Sequence, residues 1–380
     1  MVTMTAWCGL ALPYKINPCL RELTFSTGKL GQDAVRKSLN LCVAAPKKYR
    51  EAVHEHMTVL AIDKYRGVRR WHPAVEDVQR YDYTYARWWS ANGVSRQHLT
   101  SALVYGTWWN DDPLMYTWGQ GWDITEGILK KLAALNDPRR LKYDGGIAGC
   151  QVDAEQHLGW HSHYGRLQYL HFMTSTPTGS STAEQRVRSS TTDALTWMKF
   201  AYAVAMGDLR ADSALTETLQ REVSLPSLAL NHCVRLENVK VRTLFSRLGM
   251  PLHHRNAITP DVALGSMLHI LQDSFSPAHT CRVTAHDGGE TKALLADVYN
   301  YNEQNTDRHS DKDLYPDWLH HYAASNMHIY ANDPVAVGAW LIAAVDNQIS
   351  WEAVEARLRT TIFAEANTEA RAVGTTCIGS

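Results

Sequence analysis

The 380-residue chain has almost no net charge, with 38 Lys and Arg against 39 Asp and Glu and a balance of −1. That removes the long basic surface of a protein that tracks phosphates, although local patches remain open to it. No run of apolar residues approaches the length of a membrane span. The first residues, MVTMTAWCGLALPYKINPC, lack the basic start and sustained apolar stretch of a secretory signal. The expectation is a cytoplasmic chain, or one exported by a route without a cleaved signal peptide. There is no Cys-x-x-Cys. The seven cysteines (Cys8, Cys19, Cys42, Cys150, Cys233, Cys281 and Cys377) are scattered and odd in number, which argues against a disulfide framework and against a thiolate zinc site. The chain also has no P-loop, no Gly-rich dinucleotide fingerprint, no HExxH and no GxSxG elbow. Strand-like alternation is scarce and no internal repeat is visible.

What the chain does have is histidine and amphipathic aromatics. Eighteen His is a high count for the commonest metal ligand, and 13 Trp with 17 Tyr outweigh 6 Phe. Apolar content of 45% is ample for a core. Helical periodicity and caps predict helices over 46–67, 95–106, 184–207, 211–222, 235–248, 289–304, 312–330, 333–346 and 350–367. A central helix is predicted to start near Thr259–Pro260. The expected fold is all-α, a compact multi-helix domain over 46–370. An extension covers 1–45 and an insertion covers about 114–162.

The chain is organised around Leu264–Thr280, LGSMLHILQDSFSPAHT. His269 and Asp273 are four apart, so a helix puts both on one face beside Leu264, Met267, Leu268 and Leu271. Pro277 stops that helix and His279 follows in the turn. Imidazole and carboxylate are the ligands that zinc prefers apart from thiolate. A buried His–Asp hydrogen bond is the plainer reading of this stretch alone. Four further places hold ligand types. His54-Glu55-His56 lies on the first predicted helix, where Glu55 reads as solvated. Trp109-Asn110-Asp111-Asp112-Pro113 could equally be an Asx-turn. Leu170-His171-Phe172 sets an imidazole in an apolar run, often just a core residue. His309 and Asp313 repeat the i, i+4 spacing, which a helix cap would also explain.

In order and spacing these places resemble the zinc-dependent phospholipase C / single-strand-specific nuclease superfamily. Its central motif, H-x3-D-x5-H with Pro two before the last His, is matched by His269, Asp273, Pro277 and His279. His309 and Asp313 match the H-x3-E/D motif, with Asp and a longer gap. His54 with Ala61 fits the early His helix, with His56 as a rival. Trp109-Asn110-Asp111 and Leu170-His171-Phe172 are similar to the W-A-D and L-H-F patches of the nucleases. Two departures stand out: no Trp lies about a dozen residues before His54, and the interval from Asp111 to His171 is expanded. The second leaves the choice among Asp111, Asp112 and Asp153 open.

The resemblance implies an all-α fold and two or three zinc ions. One would take Asp111, His171, His269 and Asp273, a second His279, His309 and Asp313, and a third His54 with a share of Asp273. It implies hydrolysis of phosphate esters by a zinc-activated water, with Asp111 or Asp112 orienting or deprotonating it. Near-neutral charge and abundant Trp favour a phospholipase C acting on a phospholipid or membrane surface, with Trp108, Trp109 and Trp118 near the headgroup. A zinc-dependent single-strand nuclease or 3′-nucleotidase is the alternative, with nucleic acid as partner. A non-enzymatic helical protein with a structural metal site is the third reading.

Overall fold

A computed structural model describes residues 53–67, 100–111, 158–215, 240–246, 252–304, 309, 312–367, 370 and 376–378. The expected extension over 1–45 and the insertion as far as 157 lie outside these residues. So do Asp112, Trp118 and Asp153. The described helices are α1 (Val53–Tyr65), α2 (Thr100–Thr107), α3 (Leu158–His163), α4 (Ala183–Met206), α5 (Val241–Leu244), α6 (Leu252–Asp273), α7 (Asp317–Ser325), α8 (Pro334–Asp346) and α9 (Trp351–Thr360). Among the described residues no helix is long and apolar enough to cross a membrane.

Local chemistry accounts for several helix ends. Thr182 and Gln185 form a reciprocal capping box at the start of α4, and Gly207 ends it at φ 85°. Asp333 caps α8 by accepting from the Ala336 N–H, with Pro334 in the first turn. α6 starts at Leu252, earlier than predicted, with Pro260 inside it. Proline removes one bond of the ladder there, the one to the Asn256 carbonyl. Asn256 is exposed, so water can satisfy the group. At the other end Pro277 has no N–H for the carbonyl of Asp273, which instead accepts from Ser276 at 3.0 Å.

The fold is mainly helical but not all-α. Residues Thr280–Asp287 (β1) and Glu290–Val298 (β2) form an antiparallel hairpin with a bulge at Cys281/Arg282. This replaces the helix predicted over 289–304. The turn is Gly288-Gly289 with φ 58° and 87°, the pair of left-handed positions that a tight hairpin demands. A buried Arg282 fastens the hairpin to the end of α6. Its guanidinium donates to Ser274 O (2.6 Å), Ala293 O (2.7 Å) and Ile362 O (2.7 Å), and lies 4.0 Å over the Phe275 ring.

α6 is the centre of the molecule and packs on α2, α4, α1 and α8. Its approach to α2 is closest at two glycines. A Cβ on Gly106 would lie 2.5 Å from Val262 O, and one on Gly265 would lie 2.5 Å from the Gly106 Cα. The helix backbones therefore touch directly, which any side chain would prevent. α1 is buried from Val53 to Asp63 on every side, the condition of an interior helix. The disulfide Cys281–Cys377, with Cα atoms 5.0 Å apart, ties the end of the chain to β1. The cysteine pattern argued against such pairing. The two residues are 96 apart in sequence, so nothing local signals the bridge.

Candidate metal centre

Five segments bring the ligand types together. α6 presents His269 and Asp273 one turn apart, and both are fully buried. The Gly106/Gly265 contact sets the end of α2 beside the same turn, so His269 Nδ1 donates to Thr107 O at 2.6 Å. Asn110 then stitches three pieces together. Its amide donates to Leu170 O (2.6 Å) and its oxygen accepts from Ser266 Oγ (2.6 Å). Asp111 follows it, next to His171 on the 3-10 turn Gln168–His171. Phe172 ends that turn at φ 47°, a left-handed strain of roughly 1 kcal/mol for a residue with a side chain. It is stacked on Phe363 at 4.7 Å, packing that holds the turn in place.

The result, among the described residues, is three buried groups, each with potential ligand atoms within 4.8 Å of one another: His54, His269 and Asp273; Asp111, His171 and His269; His279, His309 and Asp313. Four imidazoles surround the Asp273 carboxylate. His269 Nε2 lies at 2.8 Å, His171 Nδ1 at 3.0 Å, His54 Nε2 at 3.4 Å and His279 Nδ1 at 3.6 Å. In the third group His309 Nε2 is 3.0 Å from Asp313 Oδ2, and His279 Nε2 is 4.0 Å from it. The Asp313 N–H bonds the His309 carbonyl at 3.2 Å, a single turn that sets the pair on one side.

The ring orientations are fixed from behind. His54 Nδ1 donates to Gln272 Oε1 (2.7 Å), and Gln272 in turn donates to Thr58 Oγ1 (2.8 Å). His279 Nδ1 donates to His171 O (2.8 Å), and His309 Nδ1 to Gln304 Oε1. With each Nδ1 proton on an oxygen, Nε2 is the nitrogen that points into the group, as in commonly observed metal-bound histidines. Among the described residues, His171 Nε2, His279 Nε2, His309 Nε2 and Asp313 Oδ2 are buried without a hydrogen-bond partner. A lone pair 3.0 Å from a carboxylate oxygen is repulsive unless a cation lies between them. The residues therefore fit a divalent ion held by imidazole nitrogen and carboxylate oxygen.

Electrostatics point the same way. Burial lowers the pKa of His171 to about 3 and of His269 to about 4, so both rings are neutral and able to ligate. Burial also lowers His279. Burial opposes the charge on Asp273, yet His269, His279 and His54 hold its carboxyl well below the usual range. Burial likewise opposes a charged His54, but Asp273 and Asp111 raise its pKa to about 9. A proton there does the work that a bound cation would do.

Other expected residues lie elsewhere. His56, the rival of His54, turns away and bonds the Tyr315 hydroxyl. Glu55 is not solvated: it is fully buried and accepts from Trp108 Nε1 at 2.8 Å. Trp108 and Trp109 sit in the hydrophobic core rather than on an open wall. Trp109 stacks on Trp197 at 4.9 Å and donates to Leu244 O at 2.7 Å. His163 is not among the candidate ligands, yet its ring lies 4.6 Å from that of His171. Tyr301 packs 4.9 Å from His309. Neither has a spacing signal in the sequence. Comparison of the chain with protein-family models, with curated proteins and with solved structures returns no match.

Proposed function

We propose that the chain is a zinc-dependent hydrolase of phosphate esters, of the phospholipase C / nuclease kind that its motif order resembles. The observation that carries this reading is the crowding of four imidazoles around one buried carboxylate, Asp273. Asp273 faces His54 with one oxygen and His171 and His269 with the other, which suits ions a few ångströms apart rather than one isolated ion. Zinc bound there would polarise a phosphoryl oxygen and lower the pKa of a bound water. His54, His171, His269, His279 and His309 would bind through neutral nitrogens. Asp273 would be shared between ions. In this reading Asp111 orients the attacking water and accepts its proton, a task that suits a carboxylate beside cations.

A phospholipid headgroup ester is the first substrate reading. A net charge of −1 leaves little basic surface for a nucleic-acid backbone. With Trp108 and Trp109 in the core, charge alone supports it. Single-strand nuclease or 3′-nucleotidase activity is favoured instead by the Trp109-Asn110-Asp111 and Leu170-His171-Phe172 patches. A purely structural metal site is the reading that deep burial of the ligands favours. Against it, the three groups contain eight different residues, more than the four ligands of one structural zinc. The Cys281–Cys377 bridge favours an oxidising compartment and so the exported alternative.

The test combines metal analysis with a panel of phosphatidylcholine, single-stranded DNA and a 3′-nucleotide. Two or more zinc ions per chain are expected, with activity lost to chelator and restored by zinc. Lipid cleavage with little salt dependence supports the first substrate reading, and cleavage of DNA or nucleotide supports the second. A single tightly held ion and no turnover of any substrate would leave only the structural site.

A further inference from the structure

Thr58 and Gln272 belong to no motif in the sequence, yet with His54 they close a hydrogen-bonded loop between α1 and α6. The Thr58 hydroxyl donates to the His54 carbonyl at 2.8 Å. A carbonyl only accepts and a hydroxyl has one proton, so Thr58 Oγ1 has lone pairs alone to offer Gln272. The Gln272 amide therefore turns its nitrogen to Thr58, donating at 2.8 Å, and its oxygen to His54 Nδ1 at 2.7 Å. An oxygen in that place requires the proton to be on Nδ1. Nε2 is then the nitrogen presented to Asp273 Oδ1, 3.4 Å away. All three side chains of the loop are buried, so solvent does not compete for these bonds. The rings of the other candidate ligands are fixed differently. His269 and His279 give their Nδ1 protons to the backbone carbonyls of Thr107 and His171, which cannot turn over. His309 gives its proton to Gln304, whose amide is locked by donating to Ala278 O at 2.6 Å. For His54 the lock is a side-chain hydroxyl.

We propose that Thr58 and Gln272 are positioning residues for a metal ion at His54 and Asp273: the Thr58 hydroxyl fixes the Gln272 amide, and the amide fixes His54 with Nε2 as its ligand nitrogen. The inference rests on the metal reading of the centre and on neither substrate. Without the hydroxyl, nothing in the loop tells the two ends of the amide apart. Turned over, the amide presents its NH2 group to Nδ1, which must then accept. The ring carries its proton on Nε2, aimed at Asp273, and has no lone pair there for an ion. Partners behind a ligating imidazole set its tautomer and orientation in this way. Thr58 acts through two intervening groups, and its place four residues after His54 on α1 lets one turn of helix supply both the candidate ligand and the lock on its tautomer.

The test is zinc binding to the full-length chain in chelator-buffered titrations that resolve the successive ions. Gln272→Met, which leaves Nδ1 without its acceptor, should weaken one ion by about ten- to a hundredfold, the usual worth of a group behind a ligating histidine. Gln272→Glu keeps an oxygen against Nδ1 and should bind that ion at least as tightly as wild type. Thr58→Val keeps the shape and loses the hydroxyl, and should weaken the same ion by roughly two- to tenfold, the worth of one neutral hydrogen bond. Thr58→Ser restores the hydroxyl and should restore the affinity. Wild-type affinity in Gln272→Met, or a loss in Gln272→Glu as large as in Gln272→Met, overturns the proposal and leaves the metal reading standing. Equal weakening of every ion marks a general loss of packing and also overturns it. Failure of the wild-type chain to take up zinc overturns the metal reading itself, and this role with it. If Gln272→Met does not fold, Thr58→Val against Thr58→Ser decides, and equal affinity in those two overturns the proposal.

Discussion

Replacing Gly106 by alanine tests how the fold builds the centre. The new Cβ would sit 2.5 Å from the Val262 carbonyl oxygen and 2.7 Å from the Gly265 Cα, against 3.4 Å for ordinary contact. Both obstacles are backbone, so no rotamer relieves them, and α2 must move from α6 by roughly 1 Å. Thr107 is the next residue, and its carbonyl holds His269 Nδ1 at 2.6 Å. The same shift would stretch that bond to about 3.6 Å, past hydrogen-bonding range. Overpacking costs about 1–3 kcal/mol, and a buried donor left unsatisfied about 1–3 kcal/mol more. The expected loss is therefore about 2–6 kcal/mol of unfolding free energy. Zinc affinity should also fall, since His269 belongs to two of the three groups. Urea denaturation of the metal-free chain and a chelator-buffered zinc titration measure both effects. Gly179→Ala, where a Cβ meets nothing within 4 Å, is the control. Wild-type stability and zinc affinity in Gly106→Ala would refute the claim that backbone contact between α2 and α6 positions the centre.

Three further outcomes are expected. Asp273→Asn should lower zinc content and abolish turnover more completely than His54→Ala, because four imidazoles depend on that carboxylate; near-normal turnover in Asp273→Asn with a dead His54→Ala would reverse the assignment. The pH dependence has two limbs. His54, raised to about 9, stabilises the metal-free chain below its ordinary 6.5 and stops doing so as pH rises through 9. His171 and His269, held at about 3 and 4, cost stability as pH falls below 6.5, because only the unfolded chain takes up those protons. These groups together place the stability maximum of the metal-free chain near pH 6.5, which urea midpoints across pH would reveal. Zinc must displace the His54 proton, so apparent affinity should rise about tenfold per pH unit between about pH 7 and 9; a flat profile excludes His54 as a ligand. Finally, Cys281→Ser with Cys377→Ser removes a 96-residue closure and should cost about 2–5 kcal/mol in thermal unfolding, with earlier proteolysis of the C-terminal residues. An unchanged melting temperature would show that the bridge does not hold the tail.

Much of the candidate centre was legible in the chain because its candidate ligands obey local rules. The i, i+4 spacing of His269 with Asp273 and of His309 with Asp313 puts each pair on one side of a turn whatever surrounds it. Proline at 277 ends α6 by geometry that involves only the residues from Asp273 to Pro277. The caps at Thr182, Asp333 and Ser350 are equally local, and α4, α8 and α9 begin within a residue of their predicted starts. The hairpin was also signalled locally, by Gly288-Gly289 between two runs. It was missed because Thr280–Asp287 and Glu290–Val298 lack the strict polar alternation of a half-exposed sheet: the start of β1 and most of β2 are buried or half-buried.

What the sequence determined by itself is therefore the inventory of candidate ligands, their order, and which of them share a turn. Tertiary structure alone decided which side of α1 faces the centre. His54 and His56 are two residues apart on one helix and must point in different directions. Contacts with Asp273 and with Tyr315, more than 200 residues away, select between them. The same holds for Glu55, made a core residue by Trp108, and for the two tryptophans withdrawn from any open wall. It holds too for His163 and Tyr301, whose place beside the ligands follows from no spacing. These features depend on which distant backbones meet, and the meeting is set by packing, above all by two glycines that let α2 and α6 touch.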